Sequence, residues 1–244
     1  MRNIALVVSY DGTAYHGWQC QPDLITIQQI LQERIEDIVN HKIKIYGGAR
    51  TDSGVHAFGQ TVNFFTESKI DLRGLARGLN SHLPTDIRIR DAREVDEHFH
   101  ARYSAKSKIY IYSILNTPYN SPFYSRYVWH IPYALNTSIM NQAAKLIIGT
   151  HDFSAFKKKD EIYQSVVREV IKAGVKCRGD FIYILIEATG FLRYMVRNVV
   201  GTLVLVGTGK LTVEDFKRIF ESKDREKAGP TAPPKGLFLR EIKY

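Results

Sequence analysis

"SKIYIYSIL", residues 107 to 115, alternates its side chains with the period of a strand. Lys108, Tyr110 and Tyr112 fall on one face, and Ile109, Ile111 and Ser113 on the other. One face is thus aromatic and basic, and the opposite face is aliphatic. Two uses of the aromatic face are open at this point. It can pack inside a sheet, or it can form a platform where bases stack and cations meet phosphates. The stretch also opens a second series of elements, and this decides the fold.

Upstream, "NIALVVSY" at 3 to 10 reads as a buried strand that ends in the Asp11-Gly12 turn. Ile27, Ile30, Leu31, Ile35, Ile38 and Val39 then repeat at helical spacing, and Thr26 with Gln29 forms a capping box. "KIKIYGG" is a short strand, and "GQTVNFFT" is another. "DLRGLARGLNSHL" is a helix stopped by Pro84, and "DIRIRDAREV" is a strand. Downstream of 107 to 115, "NTSIMNQAAKLIIG" is a helix, and "VVREVIKAGVKCRGDFIYILIEAT" is two strands joined at Arg178-Gly179-Asp180. "FLRYMVRNVVGTLVLVG" and "VEDFKRIFES" are helices, and "GLFLREIKY" is a closing strand. Strands covered by helices in two related halves predict an α+β protein with a cleft between the halves. The boundary falls near residues 96 to 106, giving halves at 1–104 and 105–244.

The 244 residues are enough for a sizeable core, and 34 Lys and Arg against 25 Asp and Glu give a net charge of +9. Such an excess favours a polyanion, whether nucleic acid or an anionic surface. Cys20 and Cys177 have no metal-ligand spacing and are expected as reduced thiols in a cytoplasmic protein. The N-terminal apolar run meets Asp11 and Gly12 too early for a signal peptide. The most apolar stretch, "MVRNVVGTLVLVG", is interrupted by Arg197, Asn198 and Gly201, so no membrane span is expected.

"GGARTDSGVHAFGQ", residues 47 to 60, carries the densest chemistry. An aspartate in such a loop is commonly a turn residue. Here Gly47, Gly48 and Gly54 allow close approach of a ligand, Thr51 and Ser53 are placed to hold the Asp52 carboxylate, and Arg50 to pair with it or with a phosphate. A carboxylate nucleophile must stay ionised in a partly dry pocket, which neighbouring cations and donors ensure. His56 reads as a structural partner, since no histidine has a second ligand at metal spacing. In the helix from about 191, Arg193 and Arg197 stand one turn apart on one face, either solvated or with one turned into the cleft. Lys157, Lys158 and Lys159 read as a solvated loop, with phosphate contact as the second use.

The ordered blocks "YDGTAYHGWQCQP", "GGARTDSGVHA", "LNSHLPTDI", "FHARYSAKSKIYIY", "GTHDFSAF", "FLRYMVRNVVGTL" and "AGPTAPPKGLFL" span nearly the whole chain. Through them it resembles the tRNA pseudouridine synthase A family. Two positions depart from the usual blocks: Tyr194 stands where histidine is frequent before the methionine, and Ala49 where glycine or serine precedes the arginine. The resemblance implies that Asp52 is the catalytic aspartate. Tyr110 is then the tyrosine that stacks on the target uracil and takes its C5 proton, and Arg197 the arginine that pairs with the aspartate and helps open the base stack. Arg50, Thr51, Gly54 and His56 match the substrate-binding loop around the aspartate.

The resemblance further implies two RRM-like (ferredoxin-like) halves sharing a central, mainly antiparallel sheet, with helices on one side and the catalytic cleft between the halves. It implies a homodimer, no metal, no organic cofactor, and tRNA as partner, modified at nucleotides 38, 39 and 40 of the anticodon arm. The carboxylate would act on the sugar's anomeric carbon or on C6 of the ring. Two other uses of the same residues are a non-catalytic RNA-binding module and a nucleoside hydrolase. The first would leave bound uridines unchanged, and the second would release free uracil.

Overall fold

We describe residues 1–244 from a computed structural model. The chain is α+β, with ten strands and five α-helices and mostly antiparallel pairing. It divides into two compact units: Met1–Lys106 with Phe238–Tyr244, and Ser107–Leu237.

The first unit runs β1 (Arg2–Tyr10), α1 (Ile27–Val39), β2 (Tyr46–Gly47), β3 (His56–Thr66), α2 (Leu72–His82) and β4 (Ile87–Val95). This is the β-α-β-β-α-β sequence of ferredoxin-like proteins. Its strands lie in the order β4-β1-β3, with β2 against β3. The closing strand of the chain, β10 (Leu237–Lys243), also lies here, parallel to β3 with Phe238 opposite His56 and Leu239 opposite Ala57. Ile27, Leu31, Ile35 and Val39 of α1 are buried one turn apart, each stabilising the fold by about 1.5–3 kcal/mol relative to exposure.

Two sequence expectations fail in this unit, for related reasons. The segment at 42 to 45 alternates buried Ile43 and Ile45 with exposed lysines, yet it forms no ladder; only Tyr46–Gly47 pairs. Side chains of α1 occupy its backbone groups instead: Glu36 accepts from Ile43 N at 3.2 Å, and Gln28 donates to Ile45 O at 3.3 Å. The capping box at Thr26 is also absent. The N–H groups of Ile27 and Gln28 donate to the carbonyls of Gly17 and Trp18, so a loop caps α1. Gln29 turns to Glu33, and the Thr26 hydroxyl is buried without a partner.

The second unit contains β5 (Ser107–Leu115), β6 (Trp129–His130), α3 (Thr137–Lys145), β7 (Gly149–Asp152), β8 (Val167–Arg178), β9 (Phe181–Ala188), α4 (Met195–Gly207) and α5 (Val213–Ser222). Its strand order is β5-β9-β8-β7, with β6 beside β5. Helix α4 is buried on all sides except at Arg197 and Leu205, as its apolar sequence requires. It begins at Met195, later than expected. Tyr194 adopts the left-handed conformation at φ 65°, and Arg193 precedes the helix. Arg193 and Arg197 therefore do not share a helix face. The turn forms because Arg193 N donates to the Tyr163 hydroxyl (3.1 Å), and Lys158 N donates to Arg193 O (2.9 Å).

Candidate active site

In the first unit, the segment 48–56 is pinned from several directions. The Gln60 side chain, fully buried, grips the Ala49 backbone twice, donating to its carbonyl at 2.7 Å and accepting its N–H at 3.0 Å. Tyr10, just past a register shift in β1, shares a 2.8 Å hydrogen bond with the Thr51 hydroxyl. Trp18 N donates to Thr51 O at 3.0 Å. Gly17, at φ 90°, passes so close that a Cβ there would sit 2.8 Å from Thr51 O. The Ser53 hydroxyl donates to Tyr15 O at 3.1 Å, and Tyr15 in turn donates to Asp86 at 2.6 Å. Burial raises the Tyr10 phenol well above its usual range, against the hydrogen bonds of Thr51 and Gln60, so the phenol stays protonated.

Asp52 stands half-buried on the turn closed by Val55 N to its own carbonyl (3.1 Å), with Gly54 at φ 75° and Arg50 exposed beside it. The Thr51 hydroxyl meets Tyr10, and the Ser53 hydroxyl donates to the Tyr15 carbonyl. Both contacts fix the loop that carries Asp52. Nor do Gly47 and Gly48 leave room for a ligand. The Trp18 indole closes on the first, and Ile242 and Tyr244 close on the second. His56 is buried, 1% exposed. Its Nδ1 accepts from Gly12 N at 3.0 Å and lies 3.0 Å from Asp11 Oδ1. Its ring stacks on Phe238 of β10, which stacks on Phe58.

The second unit holds Tyr110 and Arg197. Tyr110 lies on β5 with its ring edge-on to Phe191, centroids 5.0 Å apart. Tyr112, two residues on, is 0% exposed and Tyr110 only 7%. Tyr112 is thus packed inside the protein, and Tyr110 is nearly so. Tyr112 is covered at Gly236, and its hydroxyl donates to Pro233 O at 2.8 Å. Burial raises its phenol strongly, opposed by the charge of Arg197. Arg197, in the first turn of α4, donates from Nε to Ala232 O at 2.7 Å and lies over the Tyr194 ring, 4.8 Å from its centroid. Arg193 and Lys158 also face that ring, at 5.4 and 5.9 Å.

The lysine run is less free than its sequence implies. Lys157 Nζ donates to Glu161 O at 2.9 Å and lies over Tyr163, and Lys159 pairs with Glu226 at 2.7 Å. Sequence reasoning gave no role to Tyr10, Trp18 and Gln60 in the first unit, or to Asn198 and Arg225 in the second. All but Arg225 lie inside or just beside the quoted blocks, which was the available signal.

Each unit thus offers a rigid polar loop bearing a carboxylate, or an arginine set beside aromatic rings, in a basic α+β chain. The profile of the tRNA pseudouridine synthase family matches residues 6–104 and 143–244. Proteins named tRNA pseudouridine synthase A from Thermoanaerobacter sp. (strain X514) and Caldicellulosiruptor saccharolyticus are 49% and 44% identical to it, each over the full length of both chains. The chain belongs to the tRNA pseudouridine synthase A family, isomerases that form pseudouridine in tRNA. Membership of a family of isomerases leaves the hydrolase and the non-catalytic module behind. Among solved structures, an archaeal box H/ACA sRNP Nop10–Cbf5 complex aligns at TM-score 0.37 and 12% identity, covering 92% of this chain and 60% of that one.

Proposed function

We propose that this isomerase acts on uridines 38, 39 and 40 of the anticodon stem-loop of tRNAs, with Asp52 as its catalytic carboxylate. The observation that carries the reading is the setting of Asp52: a half-buried acid on a turn whose neighbouring backbone is gripped by buried side chains. A nucleophile gains most from such fixed geometry.

In the reaction the N1–C1′ bond breaks, the uracil turns, and C5 bonds to C1′. The C5 proton leaves and N1 acquires one, so composition is unchanged. Asp52 attacks C1′ or C6. Tyr110, whose ring is held by Phe191, stacks on the uracil and removes the C5 proton. Arg197 supplies a planar cation to the gap left by the everted base and to the carboxylate. Extrusion costs on the order of a few kcal/mol, which contacts between the +9 protein and RNA phosphates offset in a salt-dependent way. Arg50, exposed beside Asp52, meets the RNA backbone. Thr51, Gly54 and His56 shape the loop that receives the nucleotide.

Bacterial relatives and two exposed free thiols, Cys20 and Cys177, support action in the cytoplasm. Exposed Tyr119, Phe123 and Tyr133 support a homodimer, which sedimentation velocity reads directly. Asp52→Asn is expected to abolish tritium release from C5-labelled uridine in tRNA while tRNA binding persists. Turnover at the wild-type rate would refute the assignment of the carboxylate.

A further inference from the structure

The contacts that orient Arg197 include the Tyr194 ring under its guanidinium and the Ala232 carbonyl at Nε. Ala232 belongs to no helix or strand, so something must hold its carbonyl in place. Part of the answer is local. Ala232 N donates back to Arg197 O at 3.1 Å, and Pro230 lies so close on α4 that a Cβ at Gly201 would collide with its carbonyl. The larger part is Arg225.

The guanidinium of Arg225 makes four hydrogen bonds to this one loop and the helix beneath it. Nη1 donates to Ala228 O (3.3 Å) and Gly229 O (3.0 Å), and Nη2 to Thr231 Oγ1 (3.1 Å) and Asn198 Oδ1 (3.0 Å). Thr231 donates to the same Asn198 oxygen at 2.6 Å. Asn198 is the chain neighbour of Arg197, is 0% exposed, and is itself anchored by donating to Phe156 O (2.8 Å) and Lys157 O (3.1 Å). The fork therefore ties the residue before Ala232 to the residue after Arg197. That closes a short mechanical loop around the Nε bond.

We propose that Arg225 is a positioning residue: it fixes the 228–232 loop on α4 so that the Ala232 carbonyl orients the Arg197 guanidinium for its work on the RNA. The inference rests on the reading of Arg197 given above. A lysine keeps the charge but cannot present a planar fork to four acceptors, so the two residues are not interchangeable here.

The test is Arg225→Lys, with Thr231→Val as a milder variant that removes one link of the same network. Single-turnover tritium release should slow on the order of 10- to 100-fold in R225K, and less in T231V, with the Kd for tRNA unchanged. Low concentrations of guanidinium ion should restore rate to Arg225→Ala, whereas a merely structural role would cost as much in an Arg197→Lys background as in the wild type. In an Arg197→Lys background, adding R225K should cost little further, because both changes act through one group. A wild-type rate for R225K overturns the proposal, as does an equal cost in both backgrounds. If R197K itself keeps the wild-type rate, the role of Arg197 fails and this inference falls with it. If R197K is slow and R225K is not, only the positioning role fails.

Discussion

At the scale of single residues, few buried polar side-chain atoms are left over, and one of them is informative. The Thr26 hydroxyl is buried without a partner at the start of α1, where loop carbonyls have taken over the capping. Thr26→Val removes that atom at nearly constant shape and is expected to stabilise the protein by about 1 kcal/mol, read as a higher urea midpoint with unchanged slope. A lower midpoint would mean that the hydroxyl has a role in the native state. The same scale shows why Asp52, Tyr110 and Arg197 stand out in the sequence while the side chains around them do not. The three stand in compact blocks. The partner of Thr51 is Tyr10 and that of Ser53 is the Tyr15 carbonyl, groups that only folding brings to the loop.

Among the elements, those with strong periodicity emerge where expected. β5 spans Ser107–Leu115, as its alternation predicts, and α5 spans Val213–Ser222 under a capping box in which Thr212 and Asp215 satisfy each other's backbone N–H. Thr212→Ala should cost about 1 kcal/mol, measured as a lower thermal midpoint, because the exposed N-terminus of α5 has no loop to replace the cap. A neutral result would show that α5 is held by Phe216, Ile219 and Phe220 alone. Where elements were misjudged, competition for backbone groups decides. Residues 42 to 45 have a strand's pattern, but Glu36 and Gln28 occupy their hydrogen-bonding groups. Residues 192 to 194 have a helix's composition, but Tyr163 and Lys158 hold them in a turn.

Across the whole molecule, buried phenols tie stability to pH. Burial raises Tyr10 and Tyr112 strongly and pushes Tyr244 up to about 12. A raised phenol favours the folded state fully below its ordinary value of about 10 and loses that contribution as pH climbs through the folded values. Alkaline unfolding is therefore expected above pH of about 10, with these tyrosines ionising only as the far-ultraviolet circular dichroism collapses. Full ionisation at 295 nm with native dichroism would contradict it. Sequence by itself determined the α+β class, most strands and helices, the family, and the loop that bears Asp52, because alternation, helical spacing and compact motifs are written in neighbouring residues. Only the tertiary structure decided that β10 returns to lie beside β3, that Phe238 backs His56, and that Arg225 reaches Asn198 to brace the carbonyl under Arg197. Those contacts join residues far apart in the chain, and no local pattern encodes which distant partner a buried polar group will find.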